Sequence, residues 1–302
     1  MSLLVRRSNV LVSISDTSAV ANAWRHHADA ITLDLTDNAG ERDAVKAAVV
    51  SAAKGGAEVF VRVNPALLQA GLDAAVWPGV CGIMLACESA AAVVQADQML
   101  AVLEQQRGMP AGSLQLILVL GSARGVWDMR PIITACSRVT QVALDERALA
   151  DDLGCTPLPE LDPFDYARGR LAVECTAAKI AAIGMAYPLS VVPRELPHAE
   201  LHALATKAKN LGMKGVICPY TSWVAPVNAA FTPTPELVEW NRRVRVAFAE
   251  GIAAGTAAVP LDGKMIDVPV DEWAIVELTM AQACAARDAQ KQAALDAVRE
   301  AT

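Results

Sequence analysis

Glu58–Val63 reads EVFVRV and runs directly into Asn64-Pro65. It has the length of a strand, is dominated by β-branched and aromatic residues, and is ended by the proline behind it. Apolar side chains occur at both parities, Val59, Val61 and Val63 on one and Phe60 on the other. A strand with that pattern needs cover on both faces, as in a parallel sheet packed against helices. Leu114–Leu120 (LQLILVL) repeats it.

Outward from these two, the chain alternates short β-branched runs with longer Ala-rich helical ones. The other predicted strands are Asn9–Ile14, Ala30–Leu35, Gly82–Leu85, Val139–Leu144, Leu189–Val192 and Gly215–Cys218. The predicted helices between them are Glu41–Lys54, Ser89–Gln106, Trp127–Ser137, Asp165–Ile183 and Ala199–Leu211. Eight strand units within about 220 residues predict an α/β chain of the (β/α)8 TIM-barrel type. The first strand runs into Ser15–Val20 (SDTSAV) with no G-x-G-x-x-G, which argues against a dinucleotide-binding domain.

Beyond Cys218 the pattern changes. Pro219, Pro226, Pro233 and Pro235 punctuate an irregular stretch, followed by a helical run over Glu236–Ala254. Ala258–Pro269 (AVPLDGKMIDVP) reads as two short arms around Asp262-Gly263, a strong hairpin signal. A last helix runs from Asp271 to about Arg299. Residues 1–220 are therefore assigned to the barrel, and residues 221–302 to a C-terminal hairpin and helix extension that packs on a neighbouring subunit.

Composition narrows the function. The 302 residues are 54% hydrophobic and 20% charged with a formal net charge of -7, so the chain folds and lacks the basic face that nucleic acid requires. Mean hydropathy is +0.32, yet the apolar runs have strand length and fall far short of a bilayer span. No apolar leader follows Met1, and a cytoplasmic protein with no membrane partner is expected. Seven scattered cysteines without a C-x-x-C pair read as reduced, mostly buried thiols. His198 and His202 have zinc-like spacing, but no third ligand accompanies them, so a solvated helix face is the simpler reading.

In a barrel, the chemistry sits at the C-terminal ends of the strands. That rule selects Asp34 and Asp37 after the second strand, Arg62 and Asn64 at the third, and Glu88 after the fourth. It adds Arg124 after the fifth, Asp145 and Glu146 after the sixth, and the Cys218-Pro219 corner. Arg62 stands out, because a guanidinium in an apolar strand needs a carboxylate or an anionic ligand. It is expected to face the barrel mouth, with Asp37 as its partner until a substrate carboxylate arrives. A purely structural pair with Asp34 or Asp37 is the alternative. Arg6 and Arg7 are candidate contacts for phosphate, with surface solubility as the plain alternative.

Several of these segments resemble, in order, the citrate lyase beta-subunit-like CoA-ester lyases of the HpcH/HpaI aldolase superfamily. They are Arg6-Arg7-Ser8, Asp29–Asp37 (DAITLDLTD), VRVNP at Val61–Pro65, Gly82–Ser89 (GIMLACES), Ala150–Gly154 (ADDLG), Val227–Pro233 (VNAAFTP) and Leu261–Pro269 (LDGKMIDVP). The resemblance implies a TIM barrel, a homotrimer, and C–C bond cleavage or formation in a citryl-, malyl- or citramalyl-CoA type substrate. It implies that Arg62 and Asn64 bind substrate and that Asp267, reaching a neighbouring subunit, acts as acid/base, with Asp37 the second catalytic candidate; the phosphates that Arg6 and Arg7 suit would then be those of CoA. It also implies a Mg2+ held by a Glu and an Asp. At those two places this chain has Gly121 and Ala148, which offer no oxygen. Two rivals to the lyase reading therefore stay open: a metal-independent acyl-CoA thioester hydrolase, and a non-catalytic acyl-CoA-binding homologue.

Overall fold

The computed structural model describes residues 5–37, 42–158 and 160–300. Eight strands form one parallel sheet: β1 Ser8–Ser13, β2 Ala30–Asp34, β3 Glu58–Val63, β4 Gly82–Ala86, β5 Gln115–Leu120, β6 Val139–Leu144, β7 Ala181–Ala182 and β8 Val216–Cys218. Their order is β7-β6-β5-β4-β3-β2-β1-β8. The end strands are tied as well: Lys214 N–H donates to the Ala182 carbonyl at 2.8 Å and Gly184 N–H to the Gly215 carbonyl at 3.0 Å. These bonds close the sheet into the expected barrel. The helices after the first six strands are α1 Thr17–Asn22, α2 Arg42–Ala53, α3 Leu68–Ala75, α4 Ala90–Gln106, α5 Ala123–Trp127, α6 Met129–Ile133 and α7 Glu146–Leu153. Then come α8 Asp165–Ala178, α9 His198–Leu211, α10 Val224–Phe231, α11 Pro235–Ala253 and α12 Val268–Glu300.

The two parities of EVFVRV now have separate surroundings. Val59, Val61 and Val63 join Leu33, Leu85, Leu116 and Leu118 in the large core between sheet and helices. Phe60 turns inward to a smaller cluster with Ala30, Met84, Ile117, Val119, Ala143 and Ile183 that fills the barrel axis. The barrel is thus plugged in its middle, and only its ends are available to polar groups.

Its N-terminal end is sealed by the two arginines expected near CoA phosphates, which corrects that expectation. Arg6 is 2% exposed, lies 4.6 Å above the Phe60 ring, and donates to Glu58, to Gln115 at 2.7 Å and to Gln141 at 3.4 Å. Arg7 grips Asp29 with Nε at 2.8 Å and Nη2 at 2.9 Å, and Lys291 Nζ reaches the same carboxylate at 2.6 Å. Burial alone would raise the Asp29 carboxyl, but bonding to Arg7 and the charges of Arg7 and Lys291 outweigh it and hold it below the usual range. Both arginines precede β1, so they lie at the opposite end from the loops that carry chemistry.

One strand was misplaced by the sequence reading. Leu189–Val191 is a 3-10 turn, and the seventh strand is Ala181–Ala182, paired with Gln141 and Val142. Helix α8 stops five residues earlier than its pattern suggested, at Ala178, because Lys179 takes the left-handed cap conformation (φ 58). That place usually calls for glycine, so the stop carried no sequence signal. Trp127–Ser137 likewise breaks into α5 and α6 about Asp128. Glu41 lies outside the described residues.

The chain divides into two compact units, residues 6–231 with 291–302, and residues 1–5 with 232–290. The larger unit thus runs to Phe231 and includes the last residues of the chain from Lys291 on. In the smaller unit, β9 Val259–Leu261 and β10 Lys264–Ile266 form the predicted hairpin. Its turn residues Asp262 (φ 49) and Gly263 (φ 76) both adopt the left-handed conformation that Asp-Gly favours. Val244, Ile266 and Ala274 form its core. Among the described residues, no helix is long and apolar enough to cross a membrane.

Candidate active site

Strand parity builds the barrel mouth. Ala30 and Phe60 point inward, so Asp34 and Arg62, four and two residues on along the same faces, also point inward; Asp34 and Arg62 are register partners on β2 and β3. Ala143 points inward on β6, which brings Asp145 to the same rim. Arg62 Nη1 lies 3.5 Å from Asp34 Oδ2 and Nη2 lies 3.4 Å from Asp145 Oδ2. Both contacts exceed the usual length of a charged hydrogen bond, so they orient the guanidinium more than they saturate it. The Arg62 Nε is buried without an acceptor. Arg62 therefore faces the mouth as expected, but Asp34 and Asp145 hold it. Asp37, the expected partner, is exposed farther along the loop.

The surrounding groups fix these three. Asp34 Oδ1 accepts from Thr36 N–H at 2.9 Å and from the Thr36 hydroxyl at 2.7 Å. Asn64 donates to the Thr36 carbonyl at 3.0 Å and accepts from Ala66 N–H at 2.9 Å, so both ends of its amide brace the loops. Asp145 Oδ1 accepts from Ala148 N–H at 3.1 Å and caps α7. Glu88 accepts from Gly121 N–H at 3.3 Å and from the Ser122 hydroxyl, and Ser122 in turn caps α5 through Gly125 N–H at 2.9 Å.

The other candidates are occupied elsewhere. Glu146 is buried on Arg168 Nε at 2.7 Å and accepts from Leu189 N–H at 3.1 Å; burial pushes its carboxyl up against the pull of Arg168. Arg124 forms an ion pair with Asp128 at the surface. Burial pushes the Cys218 thiol up to about 12, so it stays protonated at neutral pH and is no nucleophile. Asp267, in the smaller unit, accepts from Val270 N–H at 3.2 Å and caps α12. The pairing of Glu88 with Ser122 was not foreseen, since nothing in their spacing links the ends of β4 and β5.

A Mg2+ bound in the manner the resemblance implies does not fit these residues. Positions 121 and 148 do meet at the mouth: a Cβ built on Gly121 would lie 2.9 Å from the Ala148 Cβ and 3.5 Å from that of Asp145. Neither residue carries an oxygen, and a side chain at 121 would collide before reaching a shared ion. Among the described residues, no group of three His, Cys, Asp or Glu side chains is placed to hold a metal.

Comparison with known proteins agrees with this architecture. The family model described as HpcH/HpaI aldolase/citrate lyase matches residues 7–219. Citrate lyase subunit beta of Haemophilus influenzae is 28% identical over 288 residues, covering 92% of this chain and 97% of that one. A citrate lyase structure from Burkholderia xenovorans superposes with a TM-score of 0.72 at 13% identity, covering 96% of this chain and 97% of that one. The Mycobacterium tuberculosis protein CitE, in complex with magnesium, acetoacetate and coenzyme A, gives a TM-score of 0.66 at 20% identity and covers 92% and 98%. At these identities the two structural likenesses speak to the fold.

Proposed function

The chain belongs to the HpcH/HpaI aldolase/citrate lyase family, and from that premise we propose that it makes or breaks a C–C bond in a small hydroxyacyl-CoA of the citryl-, malyl- or citramalyl-CoA type. The observation that carries this reading is Arg62, an inward guanidinium at the C-terminal mouth held between two carboxylates with donors left over. Such a group suits the free carboxylate of the substrate's hydroxy-acid half. Cleavage then needs a base to take the hydroxyl proton while the C–C electrons pass to the thioester carbonyl as an enolate. Protonation of the α-carbon gives an acyl-CoA and an oxo acid. Asp267 is proposed for this proton transfer, brought by a neighbouring subunit of a homotrimer, with Asp37 at the rim. Asn64 keeps the Thr36 loop in place beside the carboxylate site. The protein is proposed to work in the cytoplasm. A curated relative named as a citrate lyase subunit supports cleavage over thioester hydrolysis or binding alone.

Chromatography of the CoA products from the three esters tests the proposal. We expect acyl-CoA release from at least one ester by the purified protein, and a loss of about 30-fold or more in kcat/KM for Arg62→Ala. No turnover of any ester, or full activity in that variant, would overturn it.

A further inference from the structure

We infer that the mouth recognises its carboxylate without a divalent cation, the Arg62 guanidinium meeting it directly. The inference rests on the reading of the mouth as an acyl-CoA lyase site, and it concerns how that site holds its charge.

Three observations carry it. The two positions where a cation site would draw its carboxylates are closed on each other, with the built Gly121 Cβ 2.9 Å from Ala148. The three carboxylates nearest Arg62 and Gly121 are engaged by protein donors: Glu88 by Gly121 and Ser122, Asp145 by Ala148 and Arg62, Asp34 by Thr36 and Arg62. The guanidinium itself is under-used, with both η nitrogens held at 3.4–3.5 Å and Nε buried without an acceptor. A planar ligand carboxylate can take two parallel N–H donors from such a group.

Asp145 separates the two ways of holding charge. If it were a cation ligand, its loss would weaken substrate binding. On our reading it competes with the substrate carboxylate for Nη2, so Asp145→Asn, which still caps α7, tightens binding.

The experiment is calorimetric titration of the full protein with acetoacetate, after chelation and again with added Mg2+, alongside a Mn2+ titration followed by electron paramagnetic resonance. We expect equal acetoacetate affinity in both conditions, loss of about 30-fold or more in Arg62→Ala, tighter binding in Asp145→Asn, and no stoichiometric Mn2+ binding. Acetoacetate binding that appears only with Mg2+, or one Mn2+ bound per chain and lost in Asp145→Asn, overturns the inference and leaves the lyase reading intact. Absence of acetoacetate binding in either condition also overturns it, while the lyase reading is decided separately by turnover of the CoA esters.

Discussion

Asp29 holds the N-terminal end of the barrel together, and its removal is predicted to cost more than removal of either cation it serves. The carboxylate and Lys291 are 0% and 1% exposed at the side chain, and Arg7 is 4% exposed. Asp29→Asn takes away the carboxylate that both buried cations share, a loss of the kind that costs about 3–5 kcal/mol. In Lys291→Met the Arg7–Asp29 pair survives with its two side-chain bonds at 2.8 and 2.9 Å, and the His27 carbonyl still accepts from Asn228 at 3.1 Å. What is lost is the Lys291 bonds to Asp29 at 2.6 Å and to His27 at 2.8 Å, about 1.5–3 kcal/mol. Urea unfolding should therefore rank wild type, Lys291→Met, then Asp29→Asn, and the double variant should cost less than the sum of the two. The pH dependence has a definite sign. The folded carboxyl titrates below its unfolded value, so its contribution is present at neutral pH and lost as pH falls below about 4 toward the folded value. Asp29→Asn should flatten that acid limb. Equal costs for the two single variants, or strict additivity, would refute the charge-balance argument.

Other positions give shorter tests. Gly121→Ala pushes a methyl against Ala148 and should cost about 1–3 kcal/mol in urea unfolding; a neutral result would mean that the β5 and β6 loops separate easily. Arg6→Gln should lower thermal stability and leave CoA affinity unchanged by calorimetry, and a weakened CoA complex in the folded variant would return Arg6 to the phosphate role. Cys218, buried with its thiol up at about 12, should resist iodoacetamide in the native protein at neutral pH; prompt labelling would contradict its burial.

The barrel was legible because its strands are apolar at both parities, and VFVRV declared both the axial and the outer packing before any contact was known. The hairpin was legible for a local reason, since Asp262-Gly263 supplies the turn unaided. The seventh strand was not, because two alanines carry no strand preference and the stop before them falls on Lys179. The site divides in the same manner. Strand position exposed Arg62 as a mouth residue, and its parity was readable in retrospect. Its true partners depend on the closure of the barrel, which sets Asp145 from β6 against β3, a relation that no sequence spacing contains. Arg6 and Arg7 misled because an arginine pair near the chain start reads as surface, whereas their carboxylates come from the start of β3 (Glu58) and from just before β2 (Asp29).

The central claim is that this mouth generates a thioester enolate, and deuterium exchange into acetyl-CoA tests it most directly. Acetyl-CoA incubated with the protein and an oxo-acid analogue in D2O should gain mass at its methyl group without loss of the thioester, and Arg62→Ala should abolish the gain. Release of free CoA with no deuterium in the remaining acetyl-CoA would contradict the account and assign the site to hydrolysis.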